Sequence, residues 1–160
     1  MKKRLVNVFS RLLLAGFVLF FAQSCQKQEA VQEKTFSWIE DFDQAKAAAK
    51  ESGKPIFVLF TGSDWCPWCV KLESEVLAKP EFEAYAKENL VLFKADYLRG
   101  KPMPANLKPK NDALKEKLAV QGFPTVILMD KEEKVLGRTG YKQGGPQAYV
   151  EHLKQILNGK

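Results

Sequence analysis

The stretch that decides the fold reads IFVLFTGSDWCPWC and runs from Ile56 to Cys69. Its first five residues form a continuous apolar run, β-branched and aromatic, which predicts a strand buried on both faces. Residues 61–64 are typical of a loop. A helix is predicted to begin near Cys66 and Pro67, because proline fits the first turn of a helix. The two cysteines therefore lie at the start of a helix that follows a buried strand.

Two cysteines at positions i and i+3 on one helical turn can close a small disulfide ring. The start of a helix presents unpaired N–H groups and a partial positive charge, and both favour a thiolate at Cys66. Cys66 is thus the predicted attacking sulfur, and Cys69, one turn deeper, is predicted to resolve a mixed disulfide. Pro67 stiffens the ring, and the bulky Trp68 is expected to shape the surface that a partner protein contacts.

A pair of cysteines can also bind a metal, attach a haem or form a structural disulfide. A zinc site needs four ligands, but Cys25 is distant and the single histidine, His152, has no partner at metal spacing, so no metal is expected. Attachment of a c-type haem needs a histidine where this chain has Val70. A structural disulfide is a further alternative, although a ring at a helix start suits exchange better. No dissociable cofactor is expected, since the disulfide itself carries the electrons.

Outward from this stretch, the pattern predicts helices and strands in alternation. The predicted helices are residues 38–52 (ended by Gly53), 66–77, 81–88, about 111–120 (capped by Asn111) and a last one ending near Leu157, and the predicted strands are residues 56–60, 90–95, 125–129 and 134–137. Early strand–helix–strand units imply parallel pairing, and the last hairpin adds an antiparallel strand. The fold class is therefore α/β, with three layers and a mixed central sheet of about four to five strands flanked by helices.

The motif WCPWC at residues 65–69, between a buried strand and a helix and followed by Gly-Phe-Pro-Thr at residues 122–125, resembles thioredoxin-fold proteins. Residues 61–66 (TGSDWC) and 71–76 (KLESEV) resemble the branch found in exported bacterial proteins, including thiol:disulfide interchange proteins. The resemblance covers about residues 36–158 and implies a thioredoxin-like fold.

The resemblance also assigns roles around the cysteines. It implies that Pro124 is a cis-proline packed beside them, and that the backbone of Phe123 pairs with an incoming peptide strand. Trp65 and Thr125 complete the set of residues that are expected to support the active site.

The chain departs from the family pattern at one position. Thioredoxins commonly carry a buried aspartate six residues before the first cysteine, where this chain has Phe60. The usual proton acceptor for the resolving thiol is therefore missing. Glu73, one helical turn beyond Cys69, can take that role directly or through water, and its alternative is an ordinary solvated residue. Asp64 and Lys71 flank the motif and can tune its field.

Residues 1–24 are typical of an export signal. Residues 1–4 are positively charged after the first methionine, and residues 12–22 form an uncharged apolar run that is too short to span a bilayer as a helix. Ala22-Gln23-Ser24-Cys25 resembles the box of bacterial lipoproteins, in which the cysteine is lipidated and becomes the mature N-terminus. We expect a lipoprotein-type signal at 1–24, a lipid-anchored polar tether at 25–35 and a thioredoxin-like domain at 36–160. An ordinary secretory signal or an uncleaved anchor is the alternative.

The formal charge of +6 belongs largely to this first segment. Residues 1–24 hold four basic residues and no acidic one, and removing them leaves 21 basic and 19 acidic residues. The domain is therefore nearly neutral, and no nucleic-acid partner is expected.

The sequence thus predicts an exported, lipid-anchored thiol–disulfide oxidoreductase of the bacterial cell envelope, on the periplasmic side of the inner or outer membrane. Its Cys66–Cys69 pair would reduce, oxidise or isomerise disulfides in other envelope proteins, with reduction or interchange favoured. A membrane or periplasmic redox partner would reduce the pair again. The alternative is a non-catalytic, membrane-anchored binding module that holds a partner on the Phe123–Pro124 surface.

Overall fold

A computed structural model of the protein describes residues 36–159. A mixed sheet of four strands, in the order β2-β1-β3-β4, forms its centre. The strands are β1 (Ile56–Thr61), β2 (Val91–Asp96), β3 (Thr125–Met129) and β4 (Val135–Thr139), and the helices are α1 (Phe42–Ser52), α2 (Pro67–Leu72), α3 (Pro80–Asn89), α4 (Lys108–Lys117) and α5 (Gly145–Leu157). β1 pairs in parallel with β2 and antiparallel with β3, which pairs antiparallel with β4. The predicted fold class and the parallel first pair are confirmed.

Strand β1 lies in the middle of the molecule, and every one of its residues is buried. Because side chains alternate along a strand, Val58 and Phe60 face the core under α1 and α4, while Phe57 and Leu59 face the core under α2, α3 and α5. Burial of one such side chain contributes about 1.5–3 kcal/mol. The continuous apolar run thus anchors the sheet between two helical layers, and the cysteines follow directly from its end.

The first helix begins later than the sequence predicts. Residues 38–41 are not helical, because Ile39 forms a parallel bridge with Phe93, in which the Ile39 N–H donates to the Leu92 oxygen at 2.9 Å. Helix α1 begins at Phe42, and the carboxylate of Asp41 accepts a hydrogen bond from the N–H of Asp43. The prediction of a helix from Trp38 is therefore wrong, since pairing with a distant strand outweighs the local pattern.

Helix α4 also differs from its prediction. It begins at Lys108 with Pro109 in its first turn, so Asn111 lies inside the helix and is not its cap. The Asn111 side chain is 1% exposed, and its amide nitrogen lies 3.1 Å from the sulfur of Met103. The proline supplies the helix start that the sequence analysis assigned to the asparagine.

The predicted export signal, Cys25 and most of the tether lie outside the described residues. Within residues 36–159, no helix is both long enough and apolar enough to cross a membrane.

Candidate active site

The two cysteines lie at the start of α2, as predicted. Cys66 is the N-cap residue with extended backbone, and Pro67 is the first residue of the helix. The backbone N–H of Cys69 donates to the Cys66 sulfur at 3.3 Å. Both side chains are free thiols and are almost fully buried, with 5% of Cys66 and 2% of Cys69 exposed. This arrangement holds two sulfurs on one helical turn, with a backbone donor directed at the first.

The loop that precedes β3 lies against Cys66. The Phe123–Pro124 peptide bond is cis. The Cys66 thiol donates to the carbonyl oxygen of Phe123, with 3.5 Å between sulfur and oxygen. The hydroxyl of Thr125 donates to the Gly122 oxygen at 2.7 Å, and the residue pairs with Phe60 in the sheet. The structure therefore brings the predicted proline loop and the predicted attacking cysteine together.

The environment of Cys69 lacks a carboxylate partner within the described residues. Phe60 is fully buried in β1, where thioredoxins commonly carry the aspartate. The pKa of the Cys69 thiol is raised to about 11, mainly by burial and next by the neighbouring Cys66. Hydrogen bonds from the Thr61 side chain and the Gly62 backbone to this sulfur act in the opposite direction. Thr61, a buried polar residue that ends an apolar run, is a site residue that the sequence analysis missed.

Glu73 is half-buried and begins a π-helical turn, Glu73–Leu77, that follows α2. Its backbone N–H bonds to the Cys69 and Val70 oxygens. Among residues 36–159, its carboxylate makes no hydrogen bond or ion pair, and it is not one of the groups that shift the pKa of Cys69. Its role as a proton acceptor therefore stays a prediction.

On one side of the motif, Trp65 is held by hydrogen bonds and by packing. Its indole N–H donates to the Tyr97 carbonyl oxygen at 2.7 Å, and its ring centroid lies 6.0 Å from that of Phe123. Gly62 allows this placement, because a Cβ there would lie 2.5 Å from the indole. The Gly62 oxygen also accepts the N–H of Cys66 at 2.9 Å. The turn that carries the cysteines is thus built around the Trp65 ring.

Two carboxylates fasten the same turn to the end of β2 and to the loop that follows it. The Asp64 carboxylate accepts the backbone N–H groups of Arg99 and Gly100, at 3.0 and 2.8 Å. The hydrogen bond from Gly100 is the main cause that holds the pKa of Asp64 below its usual range. The hydroxyl of Ser63 donates to Asp96 at 2.6 Å. The Asp64 carboxylate therefore binds the backbone of the loop after β2.

On the other side of the motif, Trp68 rests on the loop between β4 and α5. The indole is 54% exposed, and its ring centroid lies 5.5 Å from that of Tyr141. The Lys71 ammonium lies 5.4 Å from the Trp68 centroid and 5.7 Å from the Tyr141 centroid. The Tyr141 hydroxyl donates to the carboxylate of Glu75. Trp68 makes no hydrogen bond through its indole within the described residues.

Tyr97, Arg99 and Tyr141 were not predicted as site residues. Each reaches the motif from a loop that is distant in the sequence, so local patterns carry no signal for them. The one sequence signal near Tyr141 is Gly140, where a Cβ would lie 3.0 Å from the Pro124 oxygen. This glycine lets the loop approach the proline turn closely.

The described residues contain no group of three histidine, cysteine or acidic side chains that could hold a metal ion. His152, expected at the surface of the last helix, is half-buried, and one of its ring nitrogens lies 2.9 Å from the Thr139 hydroxyl. Burial lowers its pKa.

The order of the strands, the paired thiols at the start of α2 and the cis-proline loop define a thioredoxin-fold protein with a dithiol site. The family model of the thioredoxin-like domain matches residues 42–156. The chain belongs to this family.

Two relatives and one solved structure sharpen the comparison. The disulfide bond reductase DsbH of Chlamydia pneumoniae is 34% identical over 135 residues, which cover 84% of this chain and 81% of the relative. The thiol:disulfide interchange protein DsbD of Cronobacter sakazakii is 31% identical over 142 residues, which cover 87% of this chain but only 22% of the relative. A solved structure described as DsbH oxidoreductase superposes with a TM-score of 0.72 at 37% identity and covers 76% of this chain and 84% of its own. The chain is a thiol–disulfide oxidoreductase.

Proposed function

We propose that this protein is a disulfide reductase or interchange protein of the bacterial cell envelope, with Cys66 as its attacking sulfur and Cys69 as its resolving sulfur. The observation that carries the proposal is the pair of free thiols on the first turn of α2, joined by the 3.3 Å contact from the Cys69 N–H to the Cys66 sulfur. Its relative DsbH of Chlamydia pneumoniae is named a disulfide bond reductase, which supports reduction as the direction.

The two cysteines differ in the way that their roles require. Cys66 caps a helix start, and the backbone N–H of Cys69 is directed at its sulfur. Cys69 is buried, and its pKa of about 11 keeps it a thiol at neutral pH. Cys66 is therefore the sulfur that is ready to attack, and Cys69 becomes a nucleophile only when it loses its proton during exchange.

The proposed cycle moves two electrons from the protein to its substrate. The Cys66 thiolate attacks one sulfur of a substrate disulfide, the substrate S–S bond breaks, and the leaving thiolate takes up a proton. Cys69 then loses its proton and attacks the Cys66 sulfur, which releases the substrate as a dithiol and forms the Cys66–Cys69 disulfide. A membrane or periplasmic dithiol partner would reduce this disulfide again.

The residues around the cysteines are proposed to orient the substrate. The Phe123–Pro124 loop contacts Cys66, so a substrate segment that pairs with this backbone would place its disulfide beside the sulfur. Trp65, Pro67 and Thr125 hold the two loops in place. Glu73 is proposed as a proton acceptor through water, because no described contact joins its carboxylate directly to Cys69.

Reduction of insulin disulfides by the purified mature chain tests the proposed function. The wild-type protein, supplied with a dithiol reductant, should accelerate insulin reduction, and Cys66→Ser should abolish the acceleration. Cys25→Ser is the matched control, since it removes a cysteine outside the proposed pair and should keep full activity. Full activity of Cys66→Ser, or a pair that does not exchange with glutathione, would refute the reductase and favour a binding module.

The location in the envelope and the lipid anchor are proposed from residues 1–25, whose charge, apolar run and cysteine follow the pattern of a lipoprotein signal. Expression of the full chain in a bacterium fed a labelled fatty acid tests the anchor. The label should enter the wild-type protein and fractionate with membranes, whereas Cys25→Ser should carry no label. A wild-type protein that is exported without label would contradict lipidation and leave the secretory signal.

A further inference from the structure

We propose that the surface around the cysteines selects substrate segments that carry carboxylates next to the reactive cysteine. This inference rests on the proposed function, since it names the substrate class of the same site. It concerns two cations, Arg99 and Lys71, which we call the cationic rim. One lies against each tryptophan of the motif.

Each cation of the rim stacks on an exposed aromatic ring. The Arg99 guanidinium carbon lies 4.4 Å from the Trp65 centroid, and the Lys71 ammonium lies 5.4 Å from the Trp68 centroid. Such contacts contribute about 0.5–1 kcal/mol at exposed sites and limit the range of side-chain positions. The two charges are therefore held beside the motif before a partner arrives.

The hydrogen-bond donors of these cations are free within residues 36–159. The Arg99 guanidinium makes no hydrogen bond or ion pair there, and the Lys71 ammonium comes no closer than 4.0 Å to its nearest carboxylate, Glu75. A guanidinium offers five N–H donors in a planar fork that suits a carboxylate, and an ammonium offers three. Arg99 can thus bind a carboxylate without first breaking an ion pair among these residues, and Lys71 would exchange only its 4.0 Å contact with Glu75.

The two carboxylates of this surface have their oxygens already engaged. Asp64 accepts backbone N–H groups of the loop after β2, including that of Arg99. Glu75 accepts the Tyr141 hydroxyl and lies 4.0 Å from Lys71. These acceptors already contact groups of the protein, whereas the side-chain donors of Arg99 and Lys71 make no hydrogen bond within residues 36–159. The surface therefore offers donors, and an acidic segment complements it.

The same surface can take an apolar side chain beside the two tryptophans. A groove of about 440 Å³ opens beside the motif, and its lining residues are Asp64, Trp65, Pro67, Trp68, Val70 and Lys71. The preferred substrate segment therefore combines an apolar side chain near its cysteine with carboxylates on the flanks.

Two model substrates test the inference. Both are the same disulfide-linked peptide with one apolar residue beside the cysteine, and they differ only in glutamates or lysines at the flanking positions. At low ionic strength, we expect kcat/KM for the glutamate peptide to exceed that for the lysine peptide by about tenfold, and the ratio to fall as salt is added. Equal rates, or faster reduction of the lysine peptide, would overturn the inference.

Reversal of the charge at Arg99 and Lys71 tests whether these two residues cause the preference for the glutamate peptide. The double variant Arg99→Glu and Lys71→Glu should invert the preference between the two peptides. The matched control is Lys50→Glu with Lys87→Glu, which makes the same change in net charge. These lysines lie near the ends of α1 and α3, where β1 and β2 begin, whereas the cysteines follow the other end of β1. If the control changes the preference as much as the rim variant does, the selectivity comes from net charge and the inference fails.

An uncharged small disulfide separates this inference from the proposed function. The wild type and the Lys50→Glu with Lys87→Glu control should reduce it at similar rates, because it has no flank for the rim to bind and the control changes no residue near the cysteines. If the wild type reduces neither the small disulfide nor insulin, the proposed function itself fails. If it reduces both but does not distinguish the two peptides, only the selectivity fails.

Discussion

Trp65 and Trp68 flank the same attacking cysteine, yet the protein holds them in different ways. Trp65 donates a hydrogen bond to the Tyr97 oxygen and fits against Gly62, which has no side chain to displace it. Trp68 is 54% exposed and rests on Tyr141 without a hydrogen bond from its indole among the described residues. One indole therefore belongs to the framework of the site, and the other belongs to its contact surface.

This difference shows how one short motif serves two needs. The sulfurs need a fixed position relative to the proline loop, and the Trp65 side supplies it through the loop after β2. A partner protein needs an accessible apolar surface, and the Trp68 side supplies that. Aromatic residues are enriched at contact surfaces because they bury a large area with few rotatable bonds.

Removal of the framework indole should have the largest effect. Trp65→Ala removes the hydrogen bond to Tyr97 and the packing on Phe123, so the reduced protein should lose about 2–3 kcal/mol of unfolding free energy. Its reaction with a small disulfide should slow by about tenfold, because Cys66 is no longer held against the proline loop. Denaturant unfolding and stopped-flow measurement check the two effects. If Trp65→Ala leaves both the stability and the rate unchanged, Trp65 does not hold the site in position.

Removal of the contact indole should leave the framework intact. Trp68→Ala should change the free energy of unfolding by less than about 1 kcal/mol, because the side chain is mostly exposed. Its rate with a small disulfide should match the wild type, while kcat/KM for insulin should fall by about tenfold. The comparison of the two variants is the control. If Trp68→Ala slows the reduction of insulin and of the small disulfide equally, Trp68 does not act mainly as a contact surface for protein substrates.

On both sides of the motif, contacts between distant parts of the chain could not be predicted from the sequence. The apolar run 56–60 and the cysteine spacing predict β1, α2 and the thiol pair, because these signals are local. The hydrogen bonds from Ser63 to Asp96 and from Gly100 to Asp64, and the contact between Trp68 and Tyr141, join residues that are far apart in the chain. The wrong start of α1 has the same cause, since Ile39 takes part in a pairing with β2 that no local pattern reveals.

The hydroxyl of Thr61 should have a smaller effect, confined to the resolving cysteine. Thr61→Val keeps the shape of the side chain but removes the hydrogen bond that lowers the pKa of Cys69, so that pKa should rise. Resolution of the mixed disulfide at neutral pH should slow by about three- to fivefold. Thr125→Val is the matched control, because its hydroxyl bonds to Gly122 and should not affect this pKa. Thiolate absorbance during an alkaline titration measures the pKa of Cys69 in the three proteins. It should be highest in Thr61→Val and equal in the wild type and Thr125→Val.

The pH dependence of stability reports on the same Cys69 thiol and is confined to alkaline pH. Burial raises the pKa of Cys69 to about 11, above its value in the unfolded chain, so folding favours the protonated thiol. The unfolded chain then binds fewer protons between about pH 9 and 11, and the free energy of unfolding falls across this range. In reduced protein, Cys69→Ala should make this decline shallower than in the wild type. An identical decline in both proteins would show that the Cys69 thiol does not contribute.

The central claim is that Cys66 attacks and Cys69 resolves, and trapping of the mixed disulfide tests it most directly. Reduced Cys69→Ser and Cys66→Ser variants are mixed with a disulfide-containing protein substrate, and the adducts are mapped by mass spectrometry. The account predicts that Cys69→Ser accumulates an adduct through Cys66, while Cys66→Ser forms almost none because its remaining thiol, with a pKa of about 11, stays protonated. An adduct that forms through Cys69 in Cys66→Ser at least as fast would contradict the account.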